Sequence, residues 1–149
     1  MTGGRGWHAK ARAADHRRAR ARLAVGGRGG GPGPAPPDAR VRIIWPSDGQ
    51  VIKGGKFWLR MGASNIGVAP AGVQKAKTGH FHVIIDADPP PLDEPIPNNE
   101  HYLHFGGGQT EVRLELPPGK HTLQLLLGDA AHVPNDPPLM SKKITVIVP

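Results

Sequence analysis

Residues 80–86 read His80-Phe81-His82-Val83-Ile84-Ile85-Asp86, and their polarity alternates with a period of two. This alternation is typical of a β-strand, because successive side chains of a strand point to opposite faces. One face then carries Phe81, Val83 and Ile85, and the other begins with His80 and His82. The segment is therefore predicted to be a strand with one apolar face and one face that carries two histidines.

The same period recurs in five further segments, and loops rich in Gly and Pro separate them. The predicted strands span residues 41–45, 56–61, 80–86, 111–116, 121–127 and 143–148. Helices are disfavoured because Pro and Gly interrupt nearly every window longer than about ten residues. The pattern predicts one all-β domain over residues 41–149, an immunoglobulin-like antiparallel β-sandwich of about seven strands, with a small barrel as the alternative.

The first 40 residues have a different composition from the rest. Residues 1–40 carry nine Lys or Arg and two Asp, whereas residues 41–149 carry ten basic and ten acidic residues. The formal charge of +7 therefore belongs to this leader. A near-neutral domain lacks the basic surface that phosphates require, so no nucleic-acid binding is expected through residues 41–149.

The leader is rich in Gly, Pro and Arg and has few large apolar residues. Such a segment buries too little surface to offset the entropy of ordering, so residues 1–40 are predicted to be disordered. A wrongly assigned start codon is the alternative. A secretory signal needs roughly 7–15 apolar residues, and the longest apolar run of the leader is Leu23-Ala24-Val25.

Residue content disfavours three further features: a membrane span, a disulfide or thiolate site, and a catalytic motif. No apolar run approaches the roughly 18 residues of a membrane span, so no transmembrane segment is expected. The chain has no cysteine, so neither a disulfide nor a thiolate ligand is available. Ser47, Ser64 and Ser141 lack the sequence context of a nucleophile elbow, and no other catalytic motif is found. The chain is therefore predicted not to be an enzyme.

Histidines are concentrated in one part of the chain, since six of the eight fall between positions 80 and 132. An antiparallel pairing of residues 80–86 with residues 121–127 would place His80 and His82 beside Gly128, Asp129 and His132. The same pairing would put His121 at the opposite end.

This arrangement predicts a metal site. Side chains at i and i+2 on a strand lie about 6.5–7 Å apart on one face, a separation over which two imidazoles can converge on one ion. His132 or His104 would add a third imidazole, which suits copper or zinc. Asp129 would be a carboxylate ligand or would orient a histidine. The plainer alternative is that these histidines are strand and loop residues hydrogen-bonded to nearby backbone.

Several strings of the sequence resemble a known family. They include Thr78-Gly79-His80-Phe81-His82-Val83-Ile84-Ile85-Asp86, His104-Phe105-Gly106-Gly107-Gly108, Leu116-Pro117-Pro118-Gly119-Lys120-His121 and His132-Val133-Pro134. Over residues 41–149 the chain resembles the bacterial family called domain of unknown function 4399. The resemblance implies an exported, periplasmic or secreted envelope protein.

The chain departs from the family pattern at three positions. The pattern often has histidine where this chain has Phe81, Ala130 and Asn135. His80, His82, His104, His121 and His132 remain as matches. The departures imply that the site either uses these remaining histidines or is not a metal site.

Three functions are left open by the sequence. The first is a non-enzymatic exported binding domain that holds copper or zinc. The second is an envelope-associated module that binds another protein or a glycan and has no metal. The third, a metal-dependent enzyme at the same histidines, is disfavoured because no carboxylate pair or general base accompanies them.

Overall fold

The computed structural model describes residues 34–149. Within that range the chain forms nine strands and one 3-10 turn, Lys53–Gly55. The strands are β1 (Arg40–Trp45), β2 (Gln50–Val51), β3 (Lys56–Ser64), β4 (Gly67–Val68), β5 (Thr78–Ile85), β6 (Tyr102–His104), β7 (Glu111–Glu115), β8 (Gly119–Gly128) and β9 (Ile144–Val148). The domain is therefore all-β, as predicted.

The smaller sheet contains three antiparallel strands in the order β1-β3-β7. Burial alternates along β3, with Phe57, Leu59 and Met61 buried and Trp58 and Arg60 exposed. The buried side chains face the larger sheet and belong to the main apolar core. The outer face of this sheet is open to solvent.

The larger sheet has the order β2-β9-β8-β5-β4, and β6 also pairs with β5. β5 and β8 are antiparallel, with His80 opposite Gly128 and Ile85 opposite Leu123. This pairing confirms the predicted register, since it puts the beginning of β5 beside the end of β8. The sheet is curled like half of a barrel.

Both faces of β5 are covered. Phe81, Val83 and Ile85 pack in the main core between the sheets. On the opposite face, Ile84 packs with Leu126 of β8 and Ile96 of a long loop in a second, smaller core. The contact of Ile96 with Ile84 and Leu126 shows that the loop covers this face. The histidines of β5 lie on the same face as Ile84, because alternate residues of a strand share a face.

The predicted strands agree with the observed ones to within a few residues at each end. The sequence prediction missed β2, β4 and β6, which are only two or three residues long and show no readable alternation. β2 pairs with β9 and β4 with β5 in parallel. The structure therefore establishes two sheets. The immunoglobulin-like arrangement is not confirmed, because the larger sheet is curled like half of a barrel.

The predicted disorder of the leader concerns mainly residues 1–33, which lie outside the described residues. Ala39 is already buried and Arg40 begins β1, so ordered structure starts slightly before residue 41. In the part of the chain that the structure describes, no helix has the length and apolar character that crossing a bilayer requires.

Candidate metal centre

Four histidines meet at one end of the larger sheet. His80 and His82 lie on β5, His104 ends β6, and His132 lies in the loop after β8. The pairing of β6 with β5 puts His104 directly opposite His82. The antiparallel pairing of β5 with β8 puts His80 opposite Gly128, just before the loop that carries His132. Backbone pairing therefore brings together histidines that are distant in sequence.

The loop that carries His132 is held by its own hydrogen bonds. Asp129 Oδ1 accepts from the backbone N–H groups of Ala131 and Val133, at 2.8 and 2.9 Å. His132 N–H donates to the carbonyl oxygen of Asp129 at 2.9 Å, and the carbonyl of His132 accepts from Ile96 N–H at 2.8 Å. His132 has a φ of 65°, an uncommon conformation for a residue with a side chain, and these bonds maintain it.

The four imidazoles are close enough to share one ion. One ring nitrogen from each of His80, His82, His104 and His132 lies within 4.8 Å of the other three. His80 Nε2 and His132 Nδ1 are 2.9 Å apart, a hydrogen bond in which one nitrogen donates to the other. Asp129 is not part of this group. Its carboxylate accepts from the loop backbone, and the side chains that converge are those of the four predicted histidines.

Two nitrogens of the group have no hydrogen-bond partner among the described residues, and both are buried. They are His82 Nδ1 and His104 Nε2. A buried polar atom that lacks a partner costs about 1–3 kcal/mol, and such atoms are rare in folded proteins. A nitrogen that binds a metal ion through its lone pair would not carry that cost. The two unpaired nitrogens therefore fit a metal ligand set.

Burial keeps the inner histidines neutral. The pKa of His80 falls to about 4, first because burial disfavours the charged ring and then because His132 and His104 are near. The pKa of His82 falls to about 3, mainly through burial and also through the other three histidines. Burial and His132 also lower the pKa of His104. A metal binds the neutral form of imidazole, so these rings have the required form at neutral pH.

Two glycines let the rings take these positions. A Cβ on Gly106 would lie 2.4 Å from Cε1 and 2.7 Å from Nε2 of His104. A Cβ on Gly128 would lie 2.8 Å from Cε1 of His82. Any larger residue at either position would push a ring aside. The sequence prediction missed this role, although the Gly106-Gly107-Gly108 run beside a histidine was a visible signal.

The centre has a buried side and a more open side. His80 and His82 are each 1% exposed. His104 and His132 are half-buried. An ion or a chelator would therefore reach the four rings past His104 and His132.

The two other histidines of the domain lie elsewhere. His121 Nδ1 is 2.7 Å from Asp86 Oδ2, and its Nε2 is 2.8 Å from the carbonyl oxygen of Pro117. This pair lies at the opposite end of β5, as predicted. His101 Nδ1 bonds the carbonyl oxygen of Ile85 at 2.9 Å. Both rings therefore have structural contacts, which is the plainer alternative for a histidine.

Comparison with known proteins places the chain in a family. The model of the family described as domain of unknown function (DUF4399) matches residues 59–149. Neither the curated proteins nor the solved structures contain a significant match. The match spans well over half of the chain and includes all four clustered histidines, so this protein belongs to the DUF4399 family.

Proposed function

We propose that this protein is a non-enzymatic binding domain that holds one copper or zinc ion between His80, His82, His104 and His132. The observation that carries the proposal is the burial of His82 Nδ1 and His104 Nε2 without hydrogen-bond partners in a group of four convergent imidazoles. An ion bound through these two nitrogens would satisfy both atoms.

The chemistry of the four side chains supports the same function. Imidazole is a borderline ligand that suits zinc, copper, nickel and iron. No carboxylate belongs to the group, so a hard cation such as calcium or magnesium, which requires oxygen ligands, is disfavoured. The low pKa values of His80 and His82 leave their lone pairs free at neutral pH.

We further propose that the protein acts in the periplasm or outside the cell, in metal delivery or storage. The support for this location is the resemblance to exported family members. The half-buried rings of His104 and His132 support exchange, because an ion held between them is reached from one side of the domain.

A second candidate function rests on a different surface. The outer side of the smaller sheet exposes Ile44, Trp45 and Trp58, and Trp58 is 51% exposed. Large apolar and aromatic side chains exposed on one sheet are typical of surfaces that bind proteins or sugars. An envelope-associated module that binds a protein or a glycan through this face is therefore the alternative, and it needs no metal.

Metal analysis of the full chain distinguishes the two functions. The protein would be incubated with Zn²⁺ or Cu²⁺, passed through a desalting column and measured for bound metal. We expect one ion per chain in the wild type, and loss of that ion in His80→Ala. His101→Ala is the matched control, since it removes an imidazole outside the group and should retain the ion. A wild type that retains no more metal than His80→Ala would leave the interaction module as the better function.

A further inference from the structure

We infer that the four-histidine centre is a closed tetrahedral site and that its ion is zinc. This inference rests on the proposed metal-binding function and goes beyond it, because it selects between the two metals and states the coordination geometry.

Ring separations distinguish a tetrahedron from a square plane. A metal–nitrogen bond of about 2.0–2.1 Å puts the centroid of each imidazole about 3.2 Å from the ion. A tetrahedron then makes all six centroid separations equal, at about 5.2 Å. A square plane instead makes four of them about 4.5 Å and the two between opposite rings about 6.4 Å.

The observed separations are closer to those of a tetrahedron than to those of a square plane. The six centroid distances among the four histidines are 4.7, 5.0, 4.9, 5.1, 5.9 and 4.6 Å. The longest joins His82 and His132, which would be one opposite pair of a square plane. The other opposite pair would be His80 and His104, whose centroids are only 5.0 Å apart. Only one of the two long separations that a square plane requires is therefore present.

Packing around the rings resists a change to the planar arrangement. His80 and His82 are fixed on one face of β5 and are almost completely buried. The backbone of Gly128 lies against the ring of His82, and the backbone of Gly106 lies against the ring of His104. Flattening the site would move rings into these backbones, because protein interiors are close-packed.

Ligand type and geometry together favour zinc over copper. Cu²⁺ prefers a square-planar or tetragonal site, whereas zinc accepts a tetrahedron without penalty. Cu⁺ favours thiolate and thioether ligands. The chain has no cysteine, and Met61 and Met140 pack in the two apolar cores. A tetrahedron of four nitrogens therefore fits Zn²⁺ best.

Four protein ligands complete the coordination of a tetrahedral zinc ion. Catalytic zinc sites leave one position for water or substrate, whereas structural sites are filled by the protein. The ion would join β5, the end of β6 and the loop of His132, which are held together here by backbone pairing and the contact between His80 and His132. Zinc would thus be retained as a bound ion, in storage or in a structural role, with no position for a reacting water.

Cobalt substitution tests the geometry. The full chain would be freed of metal, titrated with Co²⁺ and followed by visible absorption, with His80→Ala and His101→Ala beside it. We expect the wild type and His101→Ala to develop the strong visible bands of tetrahedral Co²⁺. The His80→Ala variant should lack these bands, and one equivalent of Zn²⁺ should remove them from the wild type.

Other results would overturn the inference in distinguishable ways. Weak absorption typical of six-coordinate Co²⁺, with binding that depends on His80, would exclude the tetrahedron and leave the metal-binding function in place. Failure of Zn²⁺ to displace bound Co²⁺ would exclude zinc as the ion. Absence of any binding that depends on His80, for Co²⁺ and Zn²⁺ alike, would remove both this inference and the proposed function.

Discussion

His80 Nε2 and His132 Nδ1 lie 2.9 Å apart although 52 residues separate them in the chain. His80 is placed by β5, while His132 is placed by a loop whose backbone bonds to Asp129. The contact therefore depends on two independent features, the register of β5 with β8 and the conformation of the loop. Both features can be changed by substitutions at residues other than histidine.

Replacement of Asp129 tests the loop. Asp129→Ala removes the acceptor of the Ala131 and Val133 N–H groups and loosens the loop that positions His132. Loss of an outer partner of a ligand typically weakens metal binding 10–100-fold, and we expect a loss of about that size in zinc affinity. Competition with a chromophoric chelator measures it. Asp93→Ala, which removes an exposed carboxylate, is the control, and equal affinities of the two variants would contradict the role of Asp129.

Replacement of Gly106 tests the packing of His104. In Gly106→Ala the new Cβ would lie within 2.4 Å of the ring, so the ring must move away from the centre. We expect zinc affinity to fall at least tenfold, because one ligand is displaced. In the matched Gly107→Ala the new Cβ meets only the flexible end of Gln109, at 3.0 Å, and affinity should stay within twofold. Calorimetric titration with zinc separates the two, and comparable affinities would refute the packing argument.

The metal-free protein should become less stable as the pH falls below neutrality. The folded chain holds the pKa of His80 at about 4 and that of His82 at about 3, whereas both are near 6.5 when unfolded. Between these values the unfolded state binds more protons, so the stability contribution is complete above about pH 6.5 and is lost as the pH falls towards 4 and then 3.

Urea denaturation in the presence of a chelator measures this dependence. We expect the midpoint of the wild type to fall between pH 7 and pH 5, and to fall less in His82→Gln, which has one fewer buried imidazole. If the urea midpoint fell by the same amount between pH 7 and pH 5 in both proteins, His82 would not take part in the pH dependence.

The contact between the exposed Asp86 and the buried His121, at the other end of β5, is predicted to stabilise the fold without affecting metal binding. Asp86 accepts from His121 at 2.7 Å and from the N–H of Thr122 at 2.8 Å. Asp86→Ala leaves these groups without that acceptor, so the free energy of unfolding should fall by about 1–3 kcal/mol. The folded variant should still bind one ion.

A surface carboxylate provides the comparison. Asp88 is 97% exposed and lies 3.4 Å from Nζ of Lys143. Exposed ion pairs contribute little, so Asp88→Ala should change the stability by less than about 1 kcal/mol. Chemical denaturation of both variants tests the difference. If Asp86→Ala were no more destabilised than Asp88→Ala, the contact of Asp86 with His121 and Thr122 would have no special structural role.

Much of the fold follows from local pattern. The alternation in residues 56–61, 80–86 and 121–127 predicted strands that the structure contains, because a period of two is imposed by the backbone itself. The antiparallel partnership of β5 and β8 was also predictable, and with it the approach of His80 to the loop of His132. β6 was not predictable, since its three residues pair only because β5 offers an unpaired edge.

The sequence by itself determined the strand pattern, the histidine content of one face of β5 and the absence of thiolate ligands. Only the tertiary structure decided that both His104 and His132, and not just one of them, join His80 and His82. It alone also showed that Asp129 holds a loop and that Gly106 and Gly128 lie against the rings. The physical reason is the distance along the chain over which each feature is determined. Strand alternation arises between neighbouring residues, whereas convergence of four rings depends on register, loop conformation and close packing among segments distant in the chain.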